Sequence, residues 1–304
     1  GGRFVLIFAL LFLLHGCFYP ISPMIDAETL LFLNRHSRRE LYGTYRLWGT
    51  YGWSLSTILM GGCLFLFPHD PLIFYGASLA FALMGIAAWS GIEGKPAAQP
   101  IRIPWNHLRK DRLFQGFLIF IFLVGVVSNA SYLYTGYFFD DVMKTPLEIG
   151  IILGTWTIFE VPVMFFSRRL IDTFGNRWLI VSGLFLNGIR MILFSLFTLD
   201  TPYLWKWAAA LLQGPGFGMM QLGIIDFVDR RAHPEMRATY MNIANVARAS
   251  LASAVGGALG SWLIGKWGGA ALMLACGCGS IVLILWFGLL IGRHGRRGER
   301  FMEP

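Results

Sequence analysis

A chain of 304 residues that is 56% apolar and only 14% charged, with a mean hydropathy of +0.59, has too few charges to build the polar skin of a soluble protein. Its apolar residues come in long blocks, close to the ~20 residues of a transmembrane helix rather than the ~10 alternating residues of a barrel strand. A soluble globular enzyme is thereby excluded, and an all-α integral membrane protein is predicted. The net charge of +8 could suit a nucleic-acid binder, but the basic residues lie between the blocks and read as membrane orientation instead.

Nine apolar spans follow in order, at 4–33, 43–67, 71–91, 113–139, 147–167, 176–197, 202–228, 238–264 and 269–292. Most connections are short turns such as Pro68-His69-Asp70-Pro71 and Asp200-Thr201-Pro202. The longer linker 92–112 holds Pro96, Pro100, Pro104 and five basic residues, and is expected to join two helical lobes. The predicted organisation is therefore residues 1–91 as the remainder of an N-terminal lobe, 92–112 as a cytoplasmic linker, 113–292 as a six-helix C-terminal lobe, and 293–304 as a basic cytoplasmic tail. The chain opens Gly1-Gly2-Arg3 without a Met, so its true N-terminus is expected to lie upstream.

Lysines and arginines set the orientation. Of 25, alternate connections hold 18, the opposite set only Arg3, Lys144, Lys206 and Lys266, and Arg46, Arg190 and Arg248 fall inside spans. The basic side is the cytoplasmic one, which puts the C-terminus inside a cell membrane, inner or plasma. Cys17, Cys63, Cys276 and Cys278 all lie in apolar spans, with no CxxC pair and no histidine at metal spacing. They read as packing residues, and neither metal nor cofactor is expected.

The densest information lies in Pro20–Trp53, PISPMIDAETLLFLNRHSRRELYGTYRLWGTYGW. Asp26 and Glu28 fall in one span and Arg46 about one turn into the next. Charges at that depth are expensive in hydrocarbon and point to a solute path. This block, with Tyr-Gly-x-x-Arg-Leu-Trp-Gly after a basic turn, resembles the lactose-permease-like branch of the major facilitator superfamily, which includes proton-coupled sugar, nucleoside and phenylpropionate permeases. The turn Ser167–Arg177 resembles that superfamily's loop signature at Asp172, Gly175 and Arg177 and departs from it at Ser167, Thr173 and Asn176. The resemblance implies a fold of four helix triplets in two halves, of which this chain carries family helices 4–12 without the first three.

The same resemblance implies roles for buried charges. Asp26, with Glu28 as a rival, and Arg46 match the acid and arginine that bind solute on the fourth and fifth helices. Glu160, mid-span in Phe-Glu-Val-Pro-Val, matches a proton-coupling Glu on the eighth. Burial lets such a carboxylate hold and release a proton near neutral pH. Arg190 is its expected partner, and Arg248 stands near the place of a lysine on the eleventh helix. The alternative for Asp26, Arg46, Glu160 and Arg190 is an ion pair that braces neighbouring helices, and for Arg248 it is snorkelling toward the cytoplasmic face. The branch's acids on the seventh helix are replaced here by Asn129-Ala130-Ser131-Tyr132, and its tenth-helix His and Glu by residues around Gln213-Gly214-Pro215-Gly216. Asn129, Tyr132 and Gln213 suit hydrogen bonding to an uncharged or aromatic solute. The many glycines, Gly61-Gly62, Gly214-x-Gly216-x-Gly218 and Gly256-Gly257-x-x-Gly260, read as points of close helix approach.

The expectation is a monomeric secondary transporter, not an enzyme, whose partners are a small-molecule solute, protons and the lipid bilayer, without nucleic acid. Proton-coupled uptake of a sugar, nucleoside or aromatic acid leads. An efflux carrier of the same fold, and a non-transporting scaffold or membrane enzyme, remain as alternatives.

Overall fold

The computed structural model describes residues 25, 29, 32, 33, 36, 38, 42–68, 71–91, 111–232 and 237–295. Every regular element among them is helical. The chain divides into two compact units, Gly1–Trp53 and Ser54–Pro304. The expected span 4–33 lies outside the described residues apart from Ile25, Thr29, Phe32 and Leu33. Of the linker 92–112, only Asp111 and Arg112 are described.

The helices are α1 (Tyr42–Leu66), α2 (Pro71–Gly91), α3 (Arg112–Leu133), α4 (Thr135–Val142), α5 (Pro146–Trp156), α6 (Glu160–Phe165), α7 (Ser167–Ser195), α8 (Tyr203–Ala210), α9 (Gln213–Arg231), α10 (Arg237–Asn245) and α11 (Ala252–Gly295). A π-helical turn, Val246–Leu251, joins α10 to α11. Two of the longer helices bend at a glycine with positive φ: α7 at Gly175 (φ 70°) and α11 at Gly268 (φ 80°). A side chain with a Cβ is strained in that region, which is why glycine stands at both bends. Five stretches among the described residues are long and apolar enough to cross a membrane: Arg112–Leu133, Pro146–Phe165, Arg169–Ser195, Tyr203–Arg231 and the bent Thr239–Leu289.

Local chemistry fixes the helix starts. Asp111 caps α3, its Oδ1 accepting from Phe114 N at 3.0 Å. Thr145 caps α5 through Glu148 N at 3.3 Å, with Pro146 in the first turn where its missing N–H is harmless. Asp111 also receives two hydrogen bonds from Arg231, Nε to Oδ2 and Nη2 to Oδ1, each 2.8 Å. This fork ties the start of α3 to the end of α9.

Two apolar clusters hold the helices together. One is aromatic at its centre, with Phe117 and Phe227 centroids 3.9 Å apart and Phe120 stacked on Phe287 at 4.4 Å. The other gathers Phe138, Phe139, Trp156, Phe194 and Met273. Between lipid-soluble helices no hydrophobic gain drives association, so close packing and interhelical hydrogen bonds must do it. The glycines supply that closeness. A Cβ on Gly150 would lie 2.7 Å from Thr57 O, and one on Gly256 would lie 2.6 Å from Val126 O.

Candidate functional site

Two of the helical rods are interrupted beside a proline. Between α5 and α6 the chain passes Thr157–Phe159 in tight i→i−3 bonds: Ile158 N to Thr155 O at 3.1 Å, Glu160 N to Thr157 O at 3.0 Å and Val161 N to Ile158 O at 3.1 Å. Pro162 has no N–H to bond Ile158 O, so the α pattern cannot run through. Between α8 and α9, Leu212 N bonds Ala209 O at 3.2 Å, and Pro215 likewise denies Leu211 O its usual donor.

The two interruptions touch. A Cβ on Gly214 would lie 2.6 Å from Glu160 N, 2.6 Å from Trp156 O and 2.7 Å from Phe159 C. Only glycine lets α9 come so close to the break that carries Glu160. Four residues on, a Cβ at Gly218 would sit 3.5 Å from Glu160 Cγ, so the half-buried acid lies alongside the same face of α9. Such discontinuous helices occur in membrane proteins where backbone is enclosed in protein or lines a cavity.

Arg190 stands behind this crossing. It is 4% exposed, donates from Nη2 to Asn187 Oδ1 at 2.9 Å, and places its guanidinium carbon 5.6 Å from the Trp156 ring and 5.1 Å from the Phe194 ring. Its Nε has no hydrogen-bond partner. The partners the structure gives Arg190 are thus an amide and two aromatic faces, where the sequence pointed to Glu160. Among the described residues the cation is held by ring quadrupoles rather than by a carboxylate. Trp156 and Phe194, one at the α5 break and one a helical turn beyond Arg190, are the residues that reading the sequence for charge pairs misses. The i→i+4 spacing of Arg190 and Phe194 was the available signal.

A third irregularity lies at the π-helical turn. Arg248 sits in it, half-buried, and its guanidinium has no hydrogen-bond or ion-pair partner among the described residues. Its carbonyl accepts from Asn129 Nδ2 at 3.2 Å, the same nitrogen bonding Gly125 O at 2.8 Å. A Cβ on Gly125 would collide with that carbonyl, so α3 and the π turn are in backbone contact there. Asn129 therefore spends its amide N–H groups on helix packing. Tyr132 is 49% exposed. Gln213 opens α9, and both its Oε1 and that of Gln221 are buried without a partner.

The loop-signature residues flank the Gly175 bend, with Asp172 and Arg177 exposed. Asn176, where the sequence departs from the signature, is the residue that makes the connection: its Nδ2 donates to Asp226 Oδ2 at 3.0 Å, and that oxygen also takes Arg230 Nε at 2.8 Å. Asp26 and Glu28 lie outside the described residues, and of Arg46 only the backbone, within α1, is described. Among the described residues no group of His, Cys, Asp and Glu has the makings of a metal site.

Known proteins match along nearly the whole chain. The MFS_1 like family matches residues 1–274. A maltose permease of Geobacillus stearothermophilus is 26% identical over 314 residues, covering 98% of this chain and 75% of the permease. The major facilitator superfamily domain-containing protein 6-like protein A of Xenopus laevis is 21% identical over 289 residues, 88% of this chain and 45% of that protein. The match over most of the chain, with the membrane-length helices and their interrupted pair, makes this chain a member of the MFS_1 like family of the major facilitator superfamily, a family of multi-pass membrane transporters rather than enzymes.

Proposed function

We propose that the protein is a proton-coupled symporter of a small saccharide-class solute, working by alternating access in a cell membrane with its C-terminus in the cytoplasm. The observation that carries this reading is the crossing of the two interrupted rods at Gly214 and Glu160. Secondary transporters build their solute and coupling sites from discontinuous helices. Glu160 is the acid nearest the middle of its rod, Pro146–Phe165, and it lies where two such breaks meet. A saccharide is favoured by the likeness to a maltose permease and by the neutral amide of Gln213, which offers hydrogen bonds without a charge of its own.

In this mechanism a protonated Glu160 accompanies solute binding, and the unprotonated carboxylate is tolerated only while the break is open to water. Arg190, screened by Trp156, supplies fixed positive charge nearby. Arg248, at the π turn, has no carboxylate partner among the described residues and is available to meet solute.

The test is made on the full-length protein in proteoliposomes. Maltose added outside should make the external medium more alkaline as protons enter with the sugar. Maltose entry with no pH change leaves a uniporter, and acidification outside leaves an antiporter. Either result contradicts symport.

A further inference from the structure

Three buried side-chain atoms among the described residues lack a hydrogen-bond partner: Arg190 Nε, Gln213 Oε1 and Gln221 Oε1. Native interiors hold few such atoms, and each one requires an account. Arg190 Nε belongs to the ring-screened cation already described. The two glutamine oxygens differ from it in kind. Both are acceptors, both stand on α9, and neither oxygen has a hydrogen-bond partner among the described residues. A leucine would fill either place without leaving a polar atom in need, so packing gives no reason for an amide.

Their placement is regular. Eight residues separate them, which is about 12 Å along a helix and about 80° around it. The sector they share adjoins the one that packs on α7. There Gly216 and Gly223 meet the backbone of Gly183 and Asn176. It borders the sector of Gly214 and Gly218, which faces the break and Glu160. Phe217 lies midway between the two amides, and Glu160 Cγ approaches α9 at Gly218, also between them in height.

We propose that Gln213 and Gln221 are the two ends of a solute-binding strip on α9, whose carbonyl oxygens accept hydrogen bonds from the hydroxyl groups of an uncharged saccharide of two linked rings. This rests on the saccharide reading above and names its class. An amide oxygen accepts and cannot donate. It therefore selects solutes rich in O–H donors over ionised carboxylates, which have none to give. One pyranose ring is too short to reach both oxygens, and two linked rings span the interval. Phe217 offers an apolar face between them, and Glu160 beside the strip links its occupancy to protonation. Gln221, which lies outside every charge motif in the chain, becomes a determinant of solute length.

The experiment compares wild type, Gln213→Leu and Gln221→Leu in the full-length protein, in proteoliposomes, with maltose, glucose and benzoate as probes. Thermal unfolding without solute is followed in parallel. The strip predicts that wild type takes maltose in preference to glucose and benzoate. Each leucine variant then raises the half-saturating maltose concentration about tenfold, as loss of a solute hydrogen bond in a water-excluded site does. In each variant maltose uptake falls more than glucose uptake does, and neither variant lowers the unfolding temperature. If wild type carries maltose and both variants keep its half-saturation within twofold, the strip is wrong and the saccharide reading stands. If both variants unfold at lower temperature and lose all probes alike, the amides serve the fold and the strip is again wrong. If wild type carries no saccharide, the reading beneath it fails as well.

Discussion

Gly214 and Glu160 meet where two proline-interrupted rods cross, so closely that a single added carbon on the glycine would press to 2.6 Å from the Glu160 nitrogen. Sequence, packing and function join at this contact. Pro162 and Pro215 break the helices, Gly214 lets the breaks touch, and the acid of the coupling hypothesis sits at the touching point.

The first prediction is that Gly214→Ala damages the protein. The neighbours are backbone atoms, which cannot swing aside as a side-chain tip would. Overpacking of this kind costs about 1–3 kcal/mol. A lowered unfolding temperature of the detergent-solubilised protein, with uptake lost, is the expected result. Gly136→Ala, where nothing lies within 4 Å of the added carbon, should change neither.

Arg190→Met should separate stability from transport. The guanidinium has one hydrogen bond, two ring contacts and an orphaned Nε. Replacing a poorly compensated buried ion by an apolar side chain of similar volume is often neutral or stabilising. Stability within about 1 kcal/mol of wild type, or above it, is expected by thermal unfolding. Uptake should nevertheless fall. Retained uptake would show that Arg190 only fills space.

Asn129→Leu removes the tie between α3 and the π-helical turn. Gly125 O and Arg248 O lose the side-chain donor they share. A loss of about 0.5–1.5 kcal/mol follows from removing that interhelical hydrogen bond. Because the turn is an irregular helix segment, amide hydrogen exchange around Arg248 should speed up more than exchange in α5. Equal protection in both places would argue against the tie.

Asp111→Asn weakens the fork to Arg231 while keeping an acceptor for the cap of α3. Asparagine caps helices nearly as well as aspartate, so the loss reports mainly on the partly exposed ion pair, which is worth about 1 kcal/mol or less. Raising the salt concentration should shrink the difference between wild type and variant, since screening weakens the pair in wild type alone.

Much of this was legible beforehand because bilayer thickness imposes a length on apolar segments. The helices from Tyr42 onward follow the hydropathy blocks. Glycines expected at close approaches do lie there, at Gly61, Gly214 and Gly256, although Gly62 and Gly257 are looser. The partner of Arg190 was not legible. Charge pairing suggested Glu160, whereas the contacts shown for Arg190 are Asn187, Trp156 and Phe194, and composition carries no record of side-chain direction. The π turn at Arg248 left no trace in hydropathy either, since one widened turn does not alter which residues are apolar. Gln221 passed unnoticed because a neutral amide is conspicuous only once its surroundings are known to leave it without a partner.

The central claim is that Glu160 carries the coupled proton, and Glu160→Gln in proteoliposomes tests it most directly. Glutamine imitates the protonated acid in shape and neutrality but cannot release the proton. The account predicts that exchange of labelled maltose across equally loaded vesicles continues in this variant, while accumulation driven by an imposed pH gradient is abolished. Accumulation against a gradient at the wild-type level, in the same vesicles, would contradict it.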